Sequence, residues 1–152
     1  DLAGDPSLVT GIDINEGMLA VARQKAPGIN WVTAAAEQLP FDDDRVDRVV
    51  SQFGIMFYDD RVQALKEMVR VLKPGGRLFF IEHGKAPDIG VHRWQRRLEP
   101  LWKKIGGGCH LTRKADELIQ DAGFVVTECD SGYQPGPRFA AFMIHGVAQR
   151  PC

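Results

Sequence analysis

The chain has 152 residues, with 19 Lys+Arg, 20 Asp+Glu and a formal net charge of -1. A balance this close to neutral argues against a dedicated nucleic-acid binder. Because 44% of the residues are hydrophobic and 26% are charged, disordered and fibrous classes are excluded. The length fits a single domain over residues 1–152, and the longest strictly apolar run, residues 139–144, is too short to span a bilayer. We therefore expect a cytoplasmic domain.

Short apolar segments alternate with helical patterns through the first half of the chain. The elements predicted in chain order are a strand (8–14), a helix (16–26), strands (29–33 and 46–53), a helix after Asp59 or Asp60, and a strand (77–82). Asn15 is a typical N-cap for the first helix, and Lys73-Pro74-Gly75-Gly76 is expected to end the second. Strands that alternate with helices across short joints predict a doubly wound, mostly parallel α/β sheet.

The last third of the chain has a different pattern. A helix is predicted over residues 91–105, Gly106-Gly107-Gly108 breaks it, and a further helix begins at Thr112 and ends at Gly123. Two strands follow, over residues 124–129 and 138–148. Because only a short loop joins them, we expect an antiparallel hairpin.

Three cysteines, Cys109, Cys129 and Cys152, form an odd set without CxxC spacing. A disulfide framework or a zinc site requires an even or clustered set. We therefore expect free thiols and no structural metal.

In open α/β sheets, ligands bind outside the carboxyl ends of the strands. Asp13 ends the first predicted strand, where an acid can accept both hydroxyls of a ribose; capping of the next helix is the alternative. After the second strand, Ala34-Ala35-Ala36 leaves room for a flat ring or forms a tight turn, and Glu37 can hydrogen-bond or cap. His83 ends the fourth strand and is a candidate general base or a structural histidine.

Several segments in order resemble class I S-adenosylmethionine-dependent methyltransferases. They are EQLPF (37–41), the acidic turn leading to Val46-Asp47, SQF (51–53) and LKPGG (72–76). The resemblance covers about residues 8–83 and is to the small-molecule branch, which includes the ubiquinone/menaquinone methyltransferases. Residues 92–124 further resemble the thiol and phospholipid methyltransferase-like branch. The resemblance to the family implies a Rossmann-like sheet closed by a C-terminal antiparallel hairpin. It also implies an S-adenosylmethionine cofactor and a small-molecule acceptor, without nucleic acid.

The resemblance implies a role for individual positions. Asp13 matches the acid that holds the cofactor ribose, and Ile14 lies beside the adenine. Ala36 and Glu37 match the turn that meets the adenine edge. Gln52 and Phe53 match the strand end below the methionine moiety. His83 and His110 are then candidates for proton removal or substrate contact, and Trp94 and Trp102 for walls of the acceptor pocket.

Two features depart from the family pattern. Ala35 stands where many relatives carry an acid for the adenine amino group. The family's first strand and its glycine-rich loop, about 20 residues before the ribose acid, would fall before residue 1. We therefore expect either residues upstream of Asp1 or neighbouring chains that pair the open strand edges, as in a homo-oligomer.

The same two departures motivate an alternative function. The chain would then be a non-catalytic methyltransferase remnant that acts as an oligomeric scaffold.

The segment from His92 to Lys104 is basic and amphipathic. It carries five cations against one acid, and its apolar residues fall on one side at helical spacing. Those apolar residues are Trp94, Leu98, Leu101, Trp102 and Ile105. The pattern is typical of a lid or core-packing helix, of a pocket wall, or, least favoured here, of peripheral contact with an anionic membrane.

Overall fold

The computed structural model describes residues 4–105 and 114–152, with only the backbone described for 102–105. After a short 3-10 turn (Pro6–Leu8), the elements are β1 (Thr10–Asp13), α1 (Glu16–Lys25), β2 (Asn30–Thr33), β3 (Val46–Gln52), α2 (Arg61–Val71), β4 (Leu72–His83), α3 (Ile89–Ile105), α4 (Ala115–Asp121), β5 (Val125–Tyr133) and β6 (Phe142–Gln149). The break predicted at Gly106-Gly107-Gly108 and the cap predicted at Thr112 lie outside the described residues.

The two helices of the first half begin at the predicted caps. The Asn15 side chain accepts hydrogen bonds from the N–H groups of Gly17 and Met18 and so starts α1. Of the two candidate caps for α2, Asp60 is the one used, and it accepts from the Gln63 N–H. These local bonds fix the residue at which each helix begins.

The strands form a mixed arrangement. β1 pairs with β2 in parallel, and β3 pairs with β4 in parallel. β6 pairs antiparallel with both β4 and β5, which confirms the predicted C-terminal hairpin. Within the described residues the strands group as β1-β2 and as β3-β4-β6-β5, so β1 and β3 each keep one unpaired edge.

The segment Lys73-Pro74-Gly75-Gly76 does not form the joint that the sequence predicts. α2 ends at Val71 and β4 begins at Leu72, so this strand runs through the segment. Two backbone hydrogen bonds to Arg150 hold it: Gly75 N–H donates to the Arg150 carbonyl, and Arg150 N–H donates to the Gly76 carbonyl. This long-range pairing explains the difference, because a local pattern of Pro and Gly contains no information about residue 150.

The hydrophobic core lies between α2, α4 and one face of the four-stranded group. Its fully buried members include Leu65, Leu72, Leu78, Ile119 and Ala148. Burial on this scale is the main favourable contribution to folding. It fixes β4, and Val46 and Val49 of β3 pack against the same core, so the core supports the strand that Phe53 follows and the strand that His83 ends.

Two residues of the α3 apolar stripe, Trp94 and Leu101, are 59% and 57% exposed, which does not fit the core-packing interpretation for these two positions. The buried face of α3 instead contains Gln95, which is only 1% exposed. Its side chain accepts from the Ala86 N–H (3.0 Å) and donates to the Gly84 carbonyl (3.1 Å). These two bonds hold the Gln95 side chain on the buried face of α3. No helix in the described parts of the chain has the length and apolarity required to cross a bilayer.

Candidate functional site

Backbone hydrogen bonds join the carboxyl ends of the parallel strands in two pairs, β1 with β2 and β3 with β4. The Ala34 N–H, just after β2, donates to the Asp13 carbonyl at the end of β1 (3.2 Å). The Phe53 N–H, just after β3, donates to the Ile81 carbonyl in β4 (2.9 Å). The side chains that follow β1 and β2 therefore lie together, and so do those that follow β3 and β4.

Asp13 is half-buried, and its Oδ1 accepts a hydrogen bond from the Asn15 N–H (2.7 Å). The carboxylate therefore orders the capping residue, while Asn15 itself caps α1. Among the described residues no hydrogen bond engages Asp13 Oδ2. A half-buried carboxylate with an open oxygen fits a diol such as a ribose, and exposed Ile14 lies next to it.

Glu37 connects the turn after β2 to the start of α2 through two hydrogen bonds. Its carboxylate accepts from the Asp60 N–H (3.2 Å), and its carbonyl accepts from Gln63 Nε2 (3.5 Å). The half-buried Ala36 precedes it in this turn. The prediction that Glu37 forms a hydrogen bond is confirmed, whereas the roles of Ala36 and Glu37 toward an adenine ring stay predictions.

Phe53 and His83 are brought together where β3 and β4 end. Their rings stack with centroids 5.2 Å apart. Phe53 has φ = 54°, an uncommon backbone conformation for a residue other than glycine. Residues held in such conformations are concentrated at ligand sites, where surrounding contacts keep them in place. Gln52, the last residue of β3, is exposed.

His83 differs electrostatically from a surface histidine. Burial lowers the pKa of His83, and a hydrogen bond with the Ala140 backbone partly opposes that shift. Its Nδ1 is buried without a hydrogen-bond partner. A histidine with a lowered pKa is neutral near pH 7, and a neutral imidazole can accept a proton.

Glu82 lies at the end of β4 and is only 2% exposed. Its Oε1 accepts from the Ile55 N–H at 2.9 Å. Burial raises the pKa of Glu82 to about 7, although hydrogen bonds from the backbone N–H groups of Ile55 and Gly54 oppose the shift. Burial penalises the charged form, while donors that point at the carboxylate favour it.

Tyr58 is a residue of this site that the sequence analysis does not identify. Burial raises the pKa of Tyr58, and the negative charges of Glu82, Glu37 and Asp13 raise it further. Its hydroxyl therefore lies within electrostatic reach of carboxylates from the ends of β1, β2 and β4. Tyr58 follows β3 by six residues in an irregular segment, so no periodic pattern places it at the strand ends.

The other predicted site residues are not brought into the cluster. Trp94 is exposed on α3 and is not enclosed in a pocket. His110 lies outside the described residues, as does the side chain of Trp102. Across residues 4–105 and 114–152, no group of histidine, cysteine and acidic side chains is suited to hold a metal ion.

A Rossmann-like α/β arrangement with an acid at the end of its first strand is typical of the class of cofactor-binding α/β domains. Comparison with protein families makes this class more specific. The model of the methyltransferase domain family matches residues 1–80, more than half of the chain. The chain belongs to this methyltransferase family.

Two curated relatives illustrate the similarity. The thiol S-methyltransferase TMT1B of Rattus norvegicus is 44% identical over 96 residues, which are 62% of this chain and 38% of the relative. The mitochondrial 2-methoxy-6-polyprenyl-1,4-benzoquinol methylase of Danio rerio is 47% identical over 136 residues, which are 74% of this chain and 42% of the relative. The chain thus spans about two fifths of the length of these relatives.

The fold is similar to solved structures over nearly its whole length. An S-adenosylmethionine-dependent methyltransferase from Methanosarcina mazei superimposes with a TM-score of 0.74 at 24% identity. The match covers 94% of this chain and 82% of that one. The Rossmann-like fold predicted from the sequence is confirmed.

Proposed function

We propose that this chain binds S-adenosylmethionine at the carboxyl ends of β1 to β4 and transfers the methyl group to a small-molecule acceptor. The observation that carries the proposal is the hydrogen-bonded connection between the strand ends. Backbone bonds join β1 to β2 and β3 to β4, and Glu37, in the turn after β2, accepts from the Asp60 N–H at the start of α2. This connection links the ends of the parallel strands, where ligands bind in open α/β sheets.

The residues present fit this cofactor. The open oxygen of Asp13 suits a ribose diol, and Ile14 and Ala36 offer apolar surface to a flat ring. Gln52 and Phe53 follow at the next strand end, where the methionine portion would lie. When bound, the cofactor supplies an electrophilic methyl group together with its leaving group. The contribution of the chain is then to align the reactants and exclude water.

His83 is proposed to accept the proton that the acceptor loses. Its neutral state near pH 7 and its unpartnered Nδ1 support this role. The names of the two relatives describe a thiol and a benzoquinol as acceptors. Both chemistries release a proton on methylation. We propose an acceptor of this small, weakly acidic kind.

Calorimetric titration of S-adenosylhomocysteine, the product form of the cofactor, tests the proposal directly. Binding with a Kd in the micromolar range, together with methyl transfer to an aliphatic thiol or a hydroquinone, supports it. NAD⁺ is the matched control ligand, because a strand-end acid also suits dinucleotides. Binding of NAD⁺ but not of S-adenosylhomocysteine by the folded chain would contradict the proposal.

A second candidate function follows from β1 and β3, each of which has one edge without a strand partner in the described part of the chain. Unpaired strand edges are templates for pairing with another chain. This favours a non-catalytic homo-oligomer as the alternative. Light scattering after size exclusion distinguishes the two: a monomer that binds S-adenosylhomocysteine excludes the alternative, and an oligomer without cofactor binding supports it.

A further inference from the structure

Glu82 is a buried acid to which the proposed reaction assigns no role. Its carboxylate receives hydrogen bonds from the backbone N–H groups of Ile55 and Gly54, in the turn that follows β3. In the described part of the chain no lysine or arginine pairs with it. A buried carboxylate without a cation is costly, and its retention needs an explanation.

The turn that Glu82 holds is strained and closely packed. Phe53 enters it with φ = 54°. A Cβ atom at Gly54 would lie 2.7 Å from the Tyr58 hydroxyl and 3.0 Å from Ser51 Oγ, so this backbone has little space to move. A conformation of this kind persists only when surrounding contacts determine it.

We infer that Glu82 is a positioning residue, whose carboxylate fixes the Gly54 and Ile55 amides and thereby holds the Phe53 ring against His83 at the cofactor site. The inference rests on the proposed function, because Phe53 is assigned to the methionine end of the cofactor. Glu82 itself touches neither cofactor nor acceptor in this scheme. It acts through the turn.

The protonation state of Glu82 changes how well it can hold the turn. A carboxylate accepts both amide hydrogen bonds, whereas the protonated acid carries a hydrogen that needs an acceptor of its own. Because burial raises the pKa of Glu82 to about 7, both forms are populated near neutral pH. Cofactor affinity should therefore increase as the pH rises through this range.

Few other groups near this carboxyl titrate in the same range. On the segment after β3, the Tyr58 hydroxyl faces it, and the negative charges of Glu82, Asp13 and Glu37 all raise the pKa of Tyr58. From β6, the residue paired with it is the apolar Ile144. From α3, the buried side chain at the loop after β4 is the uncharged Gln95. His83, the next residue along β4, titrates below its ordinary range.

The test compares the affinity for S-adenosylhomocysteine at pH 6 and pH 8.5 in wild type and Glu82→Gln. Wild type is expected to bind at least fivefold more tightly at pH 8.5. Glu82→Gln is expected to bind equally at both pH values, with the affinity of wild type at pH 6. Asp47→Asn is the matched control, since Asp47 lies at the other end of β3 in an exposed ion pair with Lys73, and it should follow wild type.

A constant ratio between Glu82→Gln and wild type at both pH values would overturn the inference, because a packing role alone does not depend on pH. Failure of wild type to bind would instead contradict the proposed function. NMR titration of the His83 ring in wild type then still tests the positioning role. A second inflection near pH 7, in addition to the intrinsic one of His83, supports it, and a single inflection overturns it.

Discussion

The rings of Phe53 and His83 stack with their planes 28° from parallel, at the point where β3 and β4 end. The register of the two strands brings them together, because Phe53 N–H donates to the Ile81 carbonyl two residues before His83. The proposed base is therefore in contact with the residue assigned to the cofactor. A change in the turn after β3 should affect both cofactor binding and proton transfer.

Replacing Asp13 by alanine should weaken the binding of S-adenosylhomocysteine at least tenfold. The reason is the loss of the only acid at the end of β1 that can accept the ribose hydroxyls. Calorimetric titration measures the change. Asp121→Ala, on exposed surface of α4, is the control and should bind like wild type. Unchanged affinity in Asp13→Ala would refute the assignment of the ribose site.

Replacing His83 by glutamine should slow methyl transfer to a hydroquinone by about a hundredfold, the usual order for loss of a general base. Because the base must be neutral, and burial lowers the pKa of His83, the wild-type rate at saturating S-adenosylmethionine should decline only at a pH below the ordinary range of histidine. Initial rates between pH 5 and pH 8 check both points. A variant that keeps the wild-type rate and pH profile would exclude His83 as the base.

Glu82 should also make the stability of the wild-type chain depend on pH. Its pKa rises from 4.5 to about 7 on folding, so the folded state binds more protons than the unfolded state between these values. The free energy of unfolding must therefore fall as the pH rises from about 4.5 to 7, by on the order of 3 kcal/mol. Urea denaturation at several pH values measures it. Glu82→Gln should lose this part of the slope, and an equally steep slope in that variant would contradict the prediction.

Local signals in the sequence predict the elements that local bonds determine. Asn15 and Asp60 begin α1 and α2 because each side chain caps the helix that follows it. The same signals fail where distant residues decide the structure. β4 extends through Gly75 and Gly76 because Arg150 pairs with them, and α3 buries Gln95 rather than Trp94 because backbone groups of the loop after β4 need partners.

The residues of the candidate site also divide into those that local sequence signals predict and those that distant contacts determine. Asp13, Phe53 and His83 could be predicted because each ends or follows a recognisable strand. Tyr58 could not, because it lies in an irregular segment that folds back over the strand ends. The role of Glu82 was also hidden, since its partners are backbone amides of another element and carry no residue-type signal.

Gly146 in β6 should be the least replaceable glycine of the C-terminal hairpin. A Cβ atom there would lie 2.1 Å from the Glu128 carbonyl oxygen and 3.1 Å from the Cys129 Cα in β5, so Gly146→Ala must push the two strands apart. We expect a loss of about 2–3 kcal/mol in the free energy of unfolding, as for other overpacked sites. Gly132→Ala is the matched control in the same hairpin, because nothing lies within 4 Å of its added Cβ. Urea denaturation of both variants tests the register of the hairpin: equal stabilities would show that β5 and β6 do not approach each other in this way.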